Sequence, residues 1–162
     1  MTAATSTRVV IGCVPDADLG SNGRAHWAVK ARKAKALRQF VYYSTREDAP
    51  EQPMTGPVQL TISVGWPKGR KRHDDDNMVT LCKSLVDGMT DAGYWRNDRQ
   101  VTIRRPIDQQ PWSQWEKQGG WLYPHGVISV EVICDNSTNE MPTRCANSRG
   151  RGAPTRPGKE VR

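Results

Sequence analysis

No apolar run in this chain approaches the ~20 residues that a helix needs to cross a bilayer, and no secretory h-region is present. Neither a membrane-spanning nor an exported protein is expected. Cysteines are few. Cys13, Cys82, Cys134 and Cys145 form no Cys-x-x-Cys pair, and no Cys/His set has zinc-finger spacing. Three of the four stand in apolar runs and read as buried thiols, which fits a reducing, cytoplasmic compartment. No internal repeat occurs, so a solenoid is excluded.

What the chain has in excess is positive charge. Its 162 residues carry a net charge of +7, and a polyanionic partner, usually nucleic acid, suits such a balance. The charge is clustered. Arg24, Lys30, Arg32, Lys33, Lys35 and Arg38 fall in one acid-free stretch, and Lys68, Arg70, Lys71 and Arg72 form a second run. A solvated helix face and a soluble loop account for these runs as well as DNA binding does. Residues 136–162 carry six Lys/Arg against Glu140 and Glu160. They are poor in large apolar residues and rich in Gly, Pro, Arg, Ser and Thr, so they read as a basic, disordered tail behind a single domain over 1–135.

Hydrophobic period places the elements. Residues 8–14 are a β-branched strand, 15–23 a turn-rich loop, and 24–42 a helix whose buried stripe is Trp27, Ala31, Ala34 and Leu37. Residues 57–66 alternate as a strand with one buried face. Residues 77–91 form a second helix with an apolar face of Met78, Leu81, Cys82, Leu85 and Met89, ended by Gly93. Asp76, Thr80, Lys83 and Asp87 share its opposite face. Residues 99–106 are a third strand, 107–125 a Trp-containing loop or flap, and 126–134 a fourth strand. The order β-α-β-α-β-β predicts an α+β domain with a small mixed four-stranded sheet and two main helices.

Chemistry concentrates at Asp74-Asp75-Asp76-Asn77, after four bases and before a helix. Helix capping is the plain structural reading. It accounts for one aspartate, or two, but not three. Crowded carboxylates resist ionisation, and a divalent cation reverses this. In an extended segment Asp74 and Asp76 point one way and Asp75 the other, so the outer two can share a metal. Mg²⁺ takes few carboxylates together with water and phosphate oxygens, the set a phosphodiesterase needs. Asp98 follows in a turn, where an ordinary turn aspartate is equally at home.

The sequence around these residues resembles the signature of RusA-like Holliday junction resolvases. The resemblance is carried by Asp74-Asp75-Asp76-Asn77, Lys83, Asp87 and Gly93-Tyr94-Trp95-Arg96-Asn97-Asp98-Arg99-Gln100-Val101. Ser21-Asn22 is similar to a Ser-Asn pair after the family's first strand. Two departures stand out. Asn97 replaces the first aspartate of the family's Asp-Asp pair, and the Asp76-to-Asp87 segment is about one helical turn longer. Counting from Asp76 puts Thr80 in the place of the family's helix lysine; counting back from Asp87 puts Lys83 there, and Lys83 is preferred.

The resemblance implies a crossover junction endodeoxyribonuclease. Asp74, Asp76 and Asp98 would hold Mg²⁺, with Mn²⁺ as a substitute, and Lys83 would stabilise the transition state. A homodimer would nick a four-way junction twice, in a bacterial or phage-infected cell. Lys68, Arg70, Lys71, Arg72, Lys30 and Lys33 are the expected DNA-backbone contacts. His73 reads as a loop histidine or a phosphate contact. Trp112, Trp115, Trp121 and Tyr123 read as core, dimer or base-stacking residues. Two rivals stay open: a nuclease of flaps or forks, and a non-catalytic basic DNA-binding module in which the aspartates only cap a helix.

Overall fold

The computed structural model of the chain describes residues 5–118 and 122–134. The tail, Trp121 and Cys145 lie outside the described residues. Five strands and two long helices follow in order: β1 (Thr5–Ile11), α1 (Trp27–Thr45), β2 (Val58–Gly65), α2 (Asp75–Asp91), β3 (Val101–Ile103), β4 (Asp108–Gln110), the single-turn α3 (Trp112–Trp115) and β5 (Val127–Cys134). 3₁₀ turns at Ala17–Leu19, Asp98–Gln100 and Glu116–Gln118 punctuate the loops.

The fold is α+β, as the residue pattern predicts, but its mixed sheet has five strands rather than four. The additional strand, β4, lies inside the expected flap. It is three residues of Asp-Gln-Gln and carries no apolar period to reveal it. β5 runs antiparallel between β1 and β2. On its other side β2 pairs in parallel with two strands in succession, Val58–Leu60 with β3 and Ser63–Gly65 with β4.

Alternation decides which face is buried. Val58, Leu60, Ile62 and Val64 of β2, Ile128, Val130, Val132 and Cys134 of β5, and Val9 and Ile11 of β1 point into one core with α2. The reverse face is polar, tied by Ser6 to Glu131 and by Arg8 to Ser129. The predicted α2 stripe is fully buried at all five positions. Ala92 caps this helix and Gly93 follows at φ 92°, the left-handed conformation that ends helices with glycine.

α1 departs from expectation. Trp27 is 73% exposed and Ala31 lies in solvent, while Ala34 and Leu37 are half-buried and Val41 and Thr45 form the buried anchor. Positions 34, 37, 41 and 45 lie on the expected face, while Trp27 and Ala31 in the first turns of the helix stand exposed. α1 crosses α2 at Gly88, where a Cβ would stand 2.7 Å from the Arg38 carbonyl oxygen. Only glycine permits that approach.

Candidate active site

The site is built where β2 hands over to α2. Trp66, fully buried at the end of β2, precedes the loop that carries the bases. Gln109 of β4, also buried, fixes the far end of that loop. Its amide oxygen accepts from the His73 backbone N–H at 2.9 Å and from Trp66 Nε1 at 3.1 Å, and its Nε2 donates to the His73 carbonyl at 2.7 Å. A single amide thus satisfies the backbone groups that a buried turn cannot leave unpaired. The His73 ring rests on Trp66 with 5.2 Å between centroids.

One helical turn later, buried Asn77 joins this point to the loop after β1. Its Nδ2 donates to His73 Nδ1 at 3.1 Å, and its Oδ1 accepts from Ser21 Oγ at 3.2 Å. Gly20 lies so close that a Cβ there would stand 2.2 Å from Asn77 Oδ1. The Ser21 and Asn77 motif positions are therefore linked directly in space, 56 residues apart in sequence.

The three aspartates do not alternate as they would in an extended segment, because the helix already begins at Asp75. Asp74 occupies the N-cap position with extended backbone, yet its carboxylate makes no cap hydrogen bond. Asp75 turns inward and accepts from the Ile107 N–H at 2.8 Å. Asp76, whose side chain is 90% exposed, accepts from Arg105 Nη1 at 2.8 Å. The Arg105 Nε also lies 3.9 Å from Asp75. Arg105 thus serves two of the three carboxylates, a role that nothing in the local sequence signalled.

Asp98 opens the 3₁₀ turn after Trp95 and is exposed. It stands on the rim of a groove of about 320 Å³ with Thr80, Lys83 and Asp87, over a floor of Val79, Val86, Val101 and Ile103. The expected polar face of α2 therefore does meet the Asp98 turn, and both candidates for the helix lysine position border the same groove. Much of the surrounding motif is scaffold. Tyr94 and Trp95 are buried, and Tyr94 donates its hydroxyl to the Thr45 carbonyl at 3.2 Å. Burial, with Asp48 nearby, pushes the Tyr94 phenol up to about 12. Asn97 caps the 3₁₀ turn in a reciprocal box with Gln100, whose amide also donates to the Met54 and Gly56 carbonyls. Asparagine is as good a cap as aspartate, so the departure at position 97 is met structurally.

The expected phosphate contacts divide. Lys68, Arg70, Lys71 and Arg72 are exposed. Lys30 is half-buried. Lys33 bridges Asp18 and Asp16, which hold its pKa above the usual lysine value and tie the Ala17–Leu19 turn to α1. Trp115 packs against Tyr123, and a Cβ on Gly65 would touch its ring, so it is a packing residue. A second, polar cleft of about 480 Å³ opens between the 17–24 segment and the start of α2, with Arg24, Arg72, His73 and Asp74 on its walls. Among the described residues, no three His, Cys, Asp or Glu side chains gather closely enough to hold a metal ion.

The profile of the family described as Endodeoxyribonuclease RusA matches residues 18–113, well over half of the chain. The chain belongs to the RusA endodeoxyribonuclease family. The match runs from the loop after β1 through the aspartate run and the Asp98 turn to the start of α3, so it takes in both grooves just described. A relative from Xylella fastidiosa (strain Temecula1 / ATCC 700964), described as an uncharacterized protein, is 33% identical over 131 residues, covering 79% of this chain and 78% of its own. RusA membership makes the protein a nuclease acting on DNA. Among the described residues, no helix is long and apolar enough to cross a membrane.

Proposed function

We propose that this RusA-family nuclease resolves four-way DNA junctions by divalent-metal-dependent phosphodiester hydrolysis, as a homodimer that makes one nick per protomer. The observation that carries this reading is the Asp74 carboxylate. It stands in the capping position, makes no capping bond, and follows directly on a loop of exposed bases. A helix-capping role alone leaves it unused.

The donor set fits a hard cation. Asp74, Asp76 and Asp98 offer carboxylate oxygen from exposed positions, and Mg²⁺ or Mn²⁺ prefers oxygen donors. Asp74 and Asp76 would hold the ion, with Asp98 as the third carboxylate. Because no closed three-residue cage exists among the described residues, water and DNA phosphate oxygens would complete the coordination, which is usual for Mg²⁺. When bound, the metal lowers the pKa of a coordinated water and offsets charge on the phosphate. The chain's own part is positioning. Lys83, on the rim beside Asp98, places a compact positive charge for the scissile phosphate. Lys68, Arg70, Lys71 and Arg72 hold backbone phosphates on the approach to Asp74, and Lys30 extends that track. Lys33 joins only by releasing Asp16 and Asp18.

Two-fold symmetry of a dimer matches the near two-fold symmetry of a four-way junction and pairs the nicks. The test is a panel of four-way junction, fork and plain duplex, with and without Mg²⁺, run on wild type and on Asp74→Asn and Asp98→Asn. Paired cleavage of the junction, lost in EDTA and in both variants, is expected. Equal cutting of all three substrates, or cutting in EDTA, would overturn it.

A further inference from the structure

The polar cleft beside Asp74 is also lined by Arg24 and His73, which none of the roles above uses. We propose that it is a phosphate subsite, holding a backbone phosphate of the DNA strand through Arg24, Arg72 and His73. The identity of its ligand rests on the nuclease reading; its existence as an anion site does not.

The argument begins with which charges are already met. Lys33, Arg38 and Arg105 each hold a carboxylate. Arg24 and Arg72, which line the cleft, have no ion-pair partner among the described residues. Asp18 also borders the cleft, but Lys33 answers its charge. The cleft therefore presents two unmatched guanidinium groups, and planar guanidinium is the side chain best shaped for phosphate oxygens.

His73 adds a third donor. Asn77 Nδ2 carries only hydrogens, so the bond at 3.1 Å makes His73 Nδ1 the acceptor and puts the ring proton on Nε2. Asn77 is held in that orientation by Ser21, which donates to its oxygen. Nε2 has no partner among the described residues, and the ring lines the cleft. The imidazole thus offers Nε2 as a hydrogen-bond donor. Its backbone is clamped by Gln109 and its face by Trp66. A donor fixed on both sides loses little entropy when it engages a ligand.

The remaining wall carboxylate, Asp74, is the one assigned above to a cation. It repels an anion unless that charge is met, so the phosphate belongs on the arginine side, next to the scissile position rather than at it. Ser21 and Asn77 are positioning residues for this subsite, since they act through His73.

The experiment titrates thymidine 3′,5′-bisphosphate, and separately inorganic sulfate, into the full chain in EDTA, followed calorimetrically. Wild type is expected to bind the bisphosphate measurably and to bind sulfate more weakly. Arg24→Ala should weaken the bisphosphate about tenfold, Arg24→Lys should recover part of that loss, and His73→Ala should weaken it through the lost donor. Arg24 is exposed, so its replacement leaves the fold intact, which thermal melting verifies. With a four-way junction in EDTA, Arg24→Ala should lower the salt slope by about one. Bisphosphate binding by Arg24→Ala at wild-type strength, or no binding by wild type, overturns the subsite. Wild-type failure to cut any branched DNA in Mg²⁺, with the Arg24 effect intact, would instead sink the nuclease reading and leave an anion site standing.

Discussion

Arg105 donates to the Asp76 carboxylate at 2.8 Å from the break between β3 and β4. A cation seeking Asp76 must therefore compete with a guanidinium already there. The pair is exposed, so the competition is screened by solvent and salt. Arg105→Ala is expected to tighten Mn²⁺ binding to the free protein several-fold at low salt, with the gain fading at high salt. Calorimetric titration at two ionic strengths reads it. Unchanged affinity at low salt would show that Asp76 takes no part in holding the ion.

The adjacent aspartates should separate by experiment. Asp76→Asn removes an exposed charge and should leave the melting temperature near wild type while cleavage falls by orders of magnitude. Asp75→Asn keeps an oxygen for the Ile107 N–H and should be mild in both. Asp75→Ala leaves that N–H without its partner and should cost about 1–2 kcal/mol of stability. Urea unfolding and junction cleavage on the three variants give the contrast. A cleavage defect in Asp75→Asn as deep as that of Asp76→Asn would assign the ion to the wrong carboxylate.

Gly88→Ala tests the helix crossing. Alanine improves helix propensity by about 1 kcal/mol, but its Cβ would stand 2.7 Å from the Arg38 carbonyl oxygen and from Val41 Cβ. Both obstacles are near the backbone, so overpacking of about 1–3 kcal/mol is expected to win. The melting temperature should fall by several degrees. A rise would mean that α1 can slide on α2 without penalty.

Alkaline stability should follow the buried Cys82 thiol and the half-buried Cys13 thiol. Burial pushes Cys82 from its ordinary 9.0 up to about 12, and Cys13 up to about 11. Below pH 9 both folded and unfolded chains hold these protons, and the contribution is fully present. Above it the unfolded chain ionises first, so stability falls as pH rises toward the folded values, by about 1.4 kcal/mol per unit for each thiol. Urea midpoints at pH 8 and pH 10 should differ, and Cys82→Ala should shrink the difference. A flat profile across that interval contradicts the assignment.

The legible parts of this molecule were those with strong period. Met78 through Met89 gave the buried face of α2, Gly93 its end, and the alternating runs gave β2 and β5. The candidate aspartates were visible as a cluster, and Lys83, expected in the helix-lysine position, borders the same groove as Asp98. What stayed hidden depends on contacts far apart in sequence. Gln109 reads as one polar residue among several until it clamps His73. Arg105 reads as another surface base until it meets Asp75 and Asp76. Asn77 carries the motif, but its partner Ser21 sits 56 positions away. In α1 the expected face is right from Ala34 onward, but Trp27 and Ala31 share its period and are exposed, because period alone does not say how far along a helix the core extends.

Arg105 sits in a short span whose two ends are fastened. The Arg104 N–H donates to Leu60 on one side, and the Ile107 N–H donates to Asp75 on the other. With the backbone tethered within two residues each way, the guanidinium can leave the aspartates only by rotating its own side chain. Such exposed rotamer changes take picoseconds to nanoseconds, whereas a loop swinging open takes far longer. If Asp76 takes the proposed ion, its entry should never wait on Arg105, and any slow step in loading would come from elsewhere, such as dehydration of the ion or arrival of the DNA.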